Sequence, residues 1–295
     1  MKKTANSFKT QTTGFTRRRF VRCGAAIGAG LIGMNSFGKA LFDNNNTTAA
    51  ESMPTIKLGS FEVSRLILGS NPFWGFWHGN PRNPKSYTHK TCMEVMDTAA
   101  AQGITAIWVP AYPEWISLWN DYKNQGGKLQ AWICQPDGYN GVSVEEQITS
   151  SVRNGSKAVC IQGMNVDEAV EKKDFEKLRR WISLIKNYGL PAGLASHNPD
   201  NIIKLEEQAL PAEFYHLTLG VPDSFISEAR DKSLKTVSQI DKPMVVFKVF
   251  GAGRFEPEVA FPYVMKSIRR KDGLCVGVDN PEQLIENARF VRELT

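Results

Sequence analysis

At 295 residues, 42% hydrophobic and 10% aromatic, the chain can bury a large core, which excludes a fibrous or wholly disordered protein. Its formal charge of +6 is concentrated at one end: residues 1–40 hold eight Lys or Arg and no acid, so 36 less 8 leaves 28 basic against 30 acidic side chains elsewhere, net −2. That distribution excludes a basic face for nucleic acid or an anionic membrane on the remainder of the chain.

The first element is the basic leader. TRRRFVR at Thr16–Arg22 resembles a twin-arginine export signal, and CGAAIGAGLIGM at Cys23–Met34 is too short and too rich in Gly and Ala for a span of about 20 apolar residues. GKA at Gly38–Ala40 offers the small residues that a signal peptidase needs. Residues 1–40 are thus expected to be a signal peptide that engages the twin-arginine export machinery, leaving a mature chain that is periplasmic or otherwise exported, with no stable membrane span. Residues 41–53, LFDNNNTTAAESM, have the polar composition of a disordered linker, and residues 54–295 are expected to form the folded domain.

From there, short β-branched runs alternate with helical patterns about thirty residues apart. The strands are read at Arg65–Ser70, Ala106–Pro110, Leu129–Gln135, Lys157–Gly163, Pro191–His197, Glu213–Gly220, Pro243–Gly251 and Gly273–Asp279. Each is followed by one helix. Thr88 is placed to cap the first, Gly103 to end it, and Pro199 suits the first turn of the fifth. Eight strand–helix units in about 240 residues predict a single-domain (β/α)8 barrel, a TIM barrel. The open doubly wound sheet is the alternative, but RLILGSNPFWGF lacks the GxGxxG expected after its first strand.

A barrel builds its active site at the carboxyl ends of its strands. That selects Asn71, Trp74, Trp77 and His78 after the first strand, Tyr112 after the second, Gln135 and Asp137 after the third, and Gln162 after the fourth. His197 follows the fifth, Tyr215, His216 and Thr218 belong to the sixth, and Lys248 and Arg254 to the seventh. Histidine suits proton transfer because it titrates near neutrality, and the first-loop tryptophans suit a platform for a sugar ring. No HxH or HExxH spacing is present, so no metal is expected. The four cysteines beyond the leader lack CxxC spacing; core packing is the first reading and a bridge in an oxidising compartment the second.

The seventh run, VVFKVFGAGR at Val245–Arg254, sets a lysine in an apolar strand, alternation placing Val246, Lys248 and Phe250 on one face. Burial would favour its neutral amine, the form that serves as base or nucleophile; an ion-paired brace is the alternative. Gly251, Gly253 and Arg254 form a glycine turn where many barrels hold phosphate.

IKLGSFEVSRLILGSNPFWG near the start, AAAQGITAIWV after it and VGVDNPEQLIENARFV at the end resemble the aldo/keto reductases. The resemblance implies a short hairpin before the barrel and a nicotinamide cofactor near the last strand. It also implies a catalytic Asp, Tyr, Lys and His, of which the Tyr donates the proton. Here Trp108 stands where the Asp is expected, Tyr112 one position from the Tyr, Cys134 or Gln135 in place of the Lys, and Gln162 or Gly163 in place of the His. GSNPFWGFWH, ASHNPDNI and KPMVVFKVFGAGR resemble an exported subgroup of unknown activity.

The expectation is an exported barrel enzyme on a small polar, carbohydrate-like substrate. Lys248, His197 and His216 would perform proton-transfer or carbonyl chemistry of lyase, epimerase or hydrolase type. Asn71, Trp74, His78, Tyr112, Gln135, Asp137 and Gln162 would bind substrate, and Gly251, Gly253 and Arg254 a phosphate or cofactor. No cofactor is assigned. An NAD(P)-dependent reductase and a non-catalytic ligand-binding protein are the alternatives.

Overall fold

The computed structural model describes residues 52–74, 88–221, 227–251 and 253–295, with residues 74, 140 and 227–230 described by backbone alone; all lie in the unit Ala50–Thr295. The expected signal peptide and most of the linker, together with His78 and Trp77, lie outside the described residues.

Two short strands, β1 (Thr55–Leu58) and β2 (Phe61–Ser64), pair antiparallel as the expected hairpin. Gly59 turns between them with φ 59°, a conformation that a Cβ makes costly. Eight parallel strands then close a barrel: β3 (Leu66–Gly69), β4 (Ala106–Val109), β5 (Ala131–Cys134), β6 (Ala158–Ile161), β7 (Ala192–Ser196), β8 (Phe214–Thr218), β9 (Met244–Phe247) and β10 (Gly273–Gly277). The order is that of the chain, with β10 pairing both β9 and β3.

Alternation sorts each strand. Ile67, Trp108, Ile133, Cys160, Ala195, Phe214 and Val245 fill the lumen. Their neighbours Leu68, Ile107, Cys134, Ile161, Leu194, Tyr215 and Val246 pack outward against the helices. The hairpin plugs the amino end: Ile56, Leu58 and Val63 join the inner cluster, and a Cβ on Gly273 would come within 2.6 Å of Ile56 Cδ1.

The helices are α1 (His89–Ala101), α2 (Pro113–Asn124), α3 (Val144–Arg153), α4 (Gly163–Glu171), α5 (Phe175–Asn187), α6 (Pro199–Glu207), α7 (Ser227–Gln239), α8 (Pro257–Ser267) and α9 (Pro281–Glu293). Thr88 caps α1 in a capping box with Thr91, and Pro199 opens α6 as expected. One helix between β6 and β7 is expected, but two are found: Lys173, at φ 56°, breaks the chain between α4 and α5. A second correction concerns β9. The strand ends at Phe247 and Lys248 adopts φ 61°, so the alternation expected through Lys248 and Phe250 does not occur.

The amino end is tied by Arg65, whose Nε donates to Asp272 O (3.0 Å), Nη1 to Thr295 Oγ1 (3.1 Å) and Nη2 to Arg269 O (3.0 Å). Fully buried Asp272 accepts from Arg269 Nε and from the amide of Met244 at the start of β9. No helix among the described residues is long and apolar enough to cross a membrane.

Candidate active site

At the carboxyl end of β7 the side chain of His197 emerges exposed, its Nδ1 3.2 Å from Asp167 Oδ2. Asp167 lies in the second turn of α4 and is held by three further donors: the Ser196 hydroxyl, Asn201 Nδ2 at 2.8 Å and the His197 amide at 3.2 Å. Burial works to raise its pKa, but the hydrogen bonds from His197, Ser196 and Asn201 outweigh it and hold the carboxyl below its ordinary value. An ionised carboxylate only accepts, so Nδ1 carries the ring proton and Nε2 is left as the basic atom.

The ring needs a bare backbone beside it: a Cβ on Gly163 would lie 2.8 Å from Cε1 and 2.9 Å from Nδ1. The break at Lys173 separates a short helix whose first residue is this glycine. A cleft of about 550 Å³ opens at Asp167 between α4 and α6, lined by Met164, Glu168, Asn198, Asn201 and Lys204 among others. A larger groove of about 790 Å³ runs along α1 on the barrel's outer wall, where no strand ends.

His216 faces inward on β8, in register with Ala195 and Val245. Its ring lies between Trp108, at 4.2 Å between centroids, and Phe247, at 4.3 Å. Burial, reinforced by nearby His197, pushes its pKa down to about 3, so it is neutral at ordinary pH. Phe247 also meets His197 edge to face at 5.5 Å, so one aromatic ring spans rim and lumen.

Lys248 follows Phe247, half-buried, and burial pulls its amine below the ordinary lysine value. Its left-handed backbone costs a non-glycine residue roughly 1–2 kcal/mol. Lys248 O accepts the Gly251 amide at 2.8 Å, closing a tight turn.

The other selected residues divide. Tyr112 donates its hydroxyl to Asp137 Oδ2; burial, then that bond, push its phenol well above the ordinary tyrosine value. Asp137 Oδ1 accepts from Gln147 Nε2 (3.0 Å) and from the Tyr139 amide (3.1 Å), which makes it the centre of a loop clasp. Gln162 caps α4, its Oε1 accepting from Met164 N at 2.7 Å. Gln135 is half-buried just past β5, its amide bonded to Val109 O. Asn71 is exposed at the start of a 3-10 turn that continues to Trp74. Gly251 and Gly253 take φ 53° and 82°, and Arg254 Nη1 donates to Gly251 O at 2.7 Å, so the arginine buttresses its own turn. Tyr215 faces outward and bonds Glu206.

Among the described residues there is no group of three metal-ligating side chains, and Cys92, Cys134, Cys160 and Cys275 are free. Sequence reasoning brought His197, His216 and Lys248 to one end of the barrel but missed Asp167, because the helix that carries it was not anticipated. The residues present do not fit nicotinamide-dependent carbonyl reduction. Trp108, Gln135 and Gln162 stand at the strand ends, and the Tyr112 hydroxyl is engaged by Asp137.

No protein-family model matches the chain, and no curated protein matches it. Among solved structures it is similar to a putative aldo-keto reductase from Pseudomonas aeruginosa, with TM-score 0.63, 15% identity, and 84% of this chain and 99% of that one covered. It is also similar to the holo form of an aldo-keto reductase from Bacillus halodurans, with TM-score 0.55, 12% identity, and 82% and 96% covered. At these identities the likeness is one of fold alone: the chain folds, as those proteins do, as a closed eight-stranded parallel barrel.

Proposed function

We propose that the protein is an exported enzyme that moves a proton on a small, polar, carbohydrate-like substrate, with His197 as the general base. The observation that supports this most is the Asp167–His197 pair at the carboxyl end of β7, its ring set against Gly163. The resemblance of Thr16–Arg22 to a twin-arginine signal supports the exported setting.

Asp167 fixes the tautomer, so Nε2 takes a proton from a carbon next to a carbonyl. The C–H electron pair moves toward that carbonyl, and the negative charge develops on its oxygen. Lys248, beside the same mouth, stabilises that oxygen as an ammonium or returns a proton to it. Delivery of a proton to the opposite face of the carbon by Lys248 or a water, His197 keeping the one it took, gives epimerisation; departure of a β-hydroxyl that takes the proton from His197 and leaves as water gives elimination. Both routes begin with the same abstraction.

The test is deuterium uptake from heavy water, followed by NMR on a panel of ketoses, keto-sugars and aldoses. Wild-type protein is expected to label a carbon beside a carbonyl, with His197→Gln slower by about 10²–10⁴-fold and Lys248→Met folded but inactive. Uptake by His197→Gln at the wild-type rate, or no uptake by wild type on any member of the panel, overturns the reading.

A further inference from the structure

Four polar atoms in the upper lumen have no hydrogen-bond partner among the described residues: the Trp108 indole N–H, both ring nitrogens of His216, and the Thr218 hydroxyl. The three side chains are 2%, 4% and 5% exposed. Each unpaired group costs about 1–3 kcal/mol. Elsewhere, only Trp115 Nε1 and Thr236 Oγ1 share this condition among the described residues, and they do not lie together in the lumen.

The lumen atoms form one cluster. His216 is stacked on Trp108, Thr218 lies two residues along β8 on the same side, and Phe247 sits in register with Thr218 and against the His216 ring. Below, Phe214 meets Trp108 edge to face at 6.2 Å, closing the floor. Above, Phe247 is half-buried, and the residue after it holds a strained left-handed backbone. Among the described residues Phe247 therefore covers the cluster, and its rotation would open it.

We propose that Trp108, His216 and Thr218 form a lumen subsite for an uncharged, hydroxyl-bearing group, uncovered when Phe247 turns aside, which holds the non-reacting end of a neutral polyol or sugar. The placement of the reacting end at His197 rests on the function proposed above; the subsite itself does not. An indole N–H only donates, a neutral imidazole has one donor and one acceptor, and a threonine hydroxyl does both. A hydroxyl, which donates and accepts, complements all three. A carboxylate would leave the acceptor nitrogen of His216 unpaired and would carry charge into a lumen walled by Ile133, Cys160 and Phe214. An ammonium would leave the indole donor unpaired. The neutrality of the buried His216 fits the same class.

The experiment is an NMR titration of the 15N-labelled protein with myo-inositol, D-glucose, D-gluconate, D-glucosamine and nicotinamide, following the Trp108 indole and His216 imidazole signals. Both are expected to shift saturably with the two neutral polyols and at least about tenfold more weakly with the others. Trp108→Phe and Thr218→Val should weaken polyol binding by a similar factor, and Phe247→Ala should strengthen it. No shift with either polyol up to its solubility limit overturns the subsite, as does a preference for gluconate, glucosamine or nicotinamide. Intact shifts without deuterium uptake would retire the His197 reading alone, and uptake without shifts would retire the subsite alone.

Discussion

The two ends of this barrel treat buried polarity in opposite ways. At the amino end the Arg65 guanidinium donates to three acceptors, and the buried Asp272 carboxylate takes donors from Arg269 and the start of β9, so the buried polar groups there are well partnered. At the carboxyl end Trp108, His216 and Thr218 have lumen atoms without a partner among the described residues, Lys248 holds a strained backbone, and an oriented histidine faces solvent. Satisfied networks brace a fold; unsatisfied and strained groups that persist call for a reason outside folding. The contrast puts stability at one end and, on the function proposed above, chemistry at the other.

Breaking the sealed end should have the largest effect. Arg65→Met leaves three acceptors short, Asp272 O, Arg269 O and the Thr295 hydroxyl; urea unfolding is expected to show a loss of about 1–3 kcal/mol for each one left buried. Turnover per folded molecule should be unchanged, and a matching loss of turnover would dissolve the contrast.

At the open end His216 is expected to govern acid stability. Its folded pKa of about 3 lies below the ordinary 6.5, so between those values the unfolded chain takes up a proton that the folded one refuses. Stability should therefore be complete above pH 6.5 and fall by a few kcal/mol as pH drops toward 3. His216→Phe should flatten that stretch of the pH–stability curve, and an unchanged slope would show that His216 does not carry it.

The smallest change sharpens the rim. Gly163→Ala adds one methyl group that must push the His197 ring away from Asp167. Turnover should fall by about 10- to 100-fold, with the melting temperature barely altered, since alanine at the start of α4 favours the helix. A normal rate would mean that the ring's seat is unimportant.

Much of the frame was legible in the chain. β-branched runs such as AIWV and AVCI recur with helical patterns between them, and that rhythm alone gives the barrel and the end that carries its loops. The strand pattern also put His216 at a strand end, as it did His197, but not its sandwich between Trp108 and Phe247, which depends on register between strands far apart in sequence. Two local features misled. VVFKVF reads as one continuous strand, yet the backbone reverses at Lys248 because the Gly251 amide closes a turn on the Lys248 carbonyl. GMNVDEAVE is short, opens on glycine and carries few strong helix signals, so α4 and its Asp167 were invisible until the cap by Gln162 was seen.

The most direct test of the central claim is deuterium exchange on the substrate by His197→Ala, with and without free imidazole. Exchange is expected to fall by at least about 10²-fold and to recover as imidazole is added, because the small molecule replaces the missing base at the mouth. Undiminished exchange in His197→Ala, or a loss that imidazole does not restore while the polyol-binding shifts remain intact, would contradict a proton-transfer role for His197.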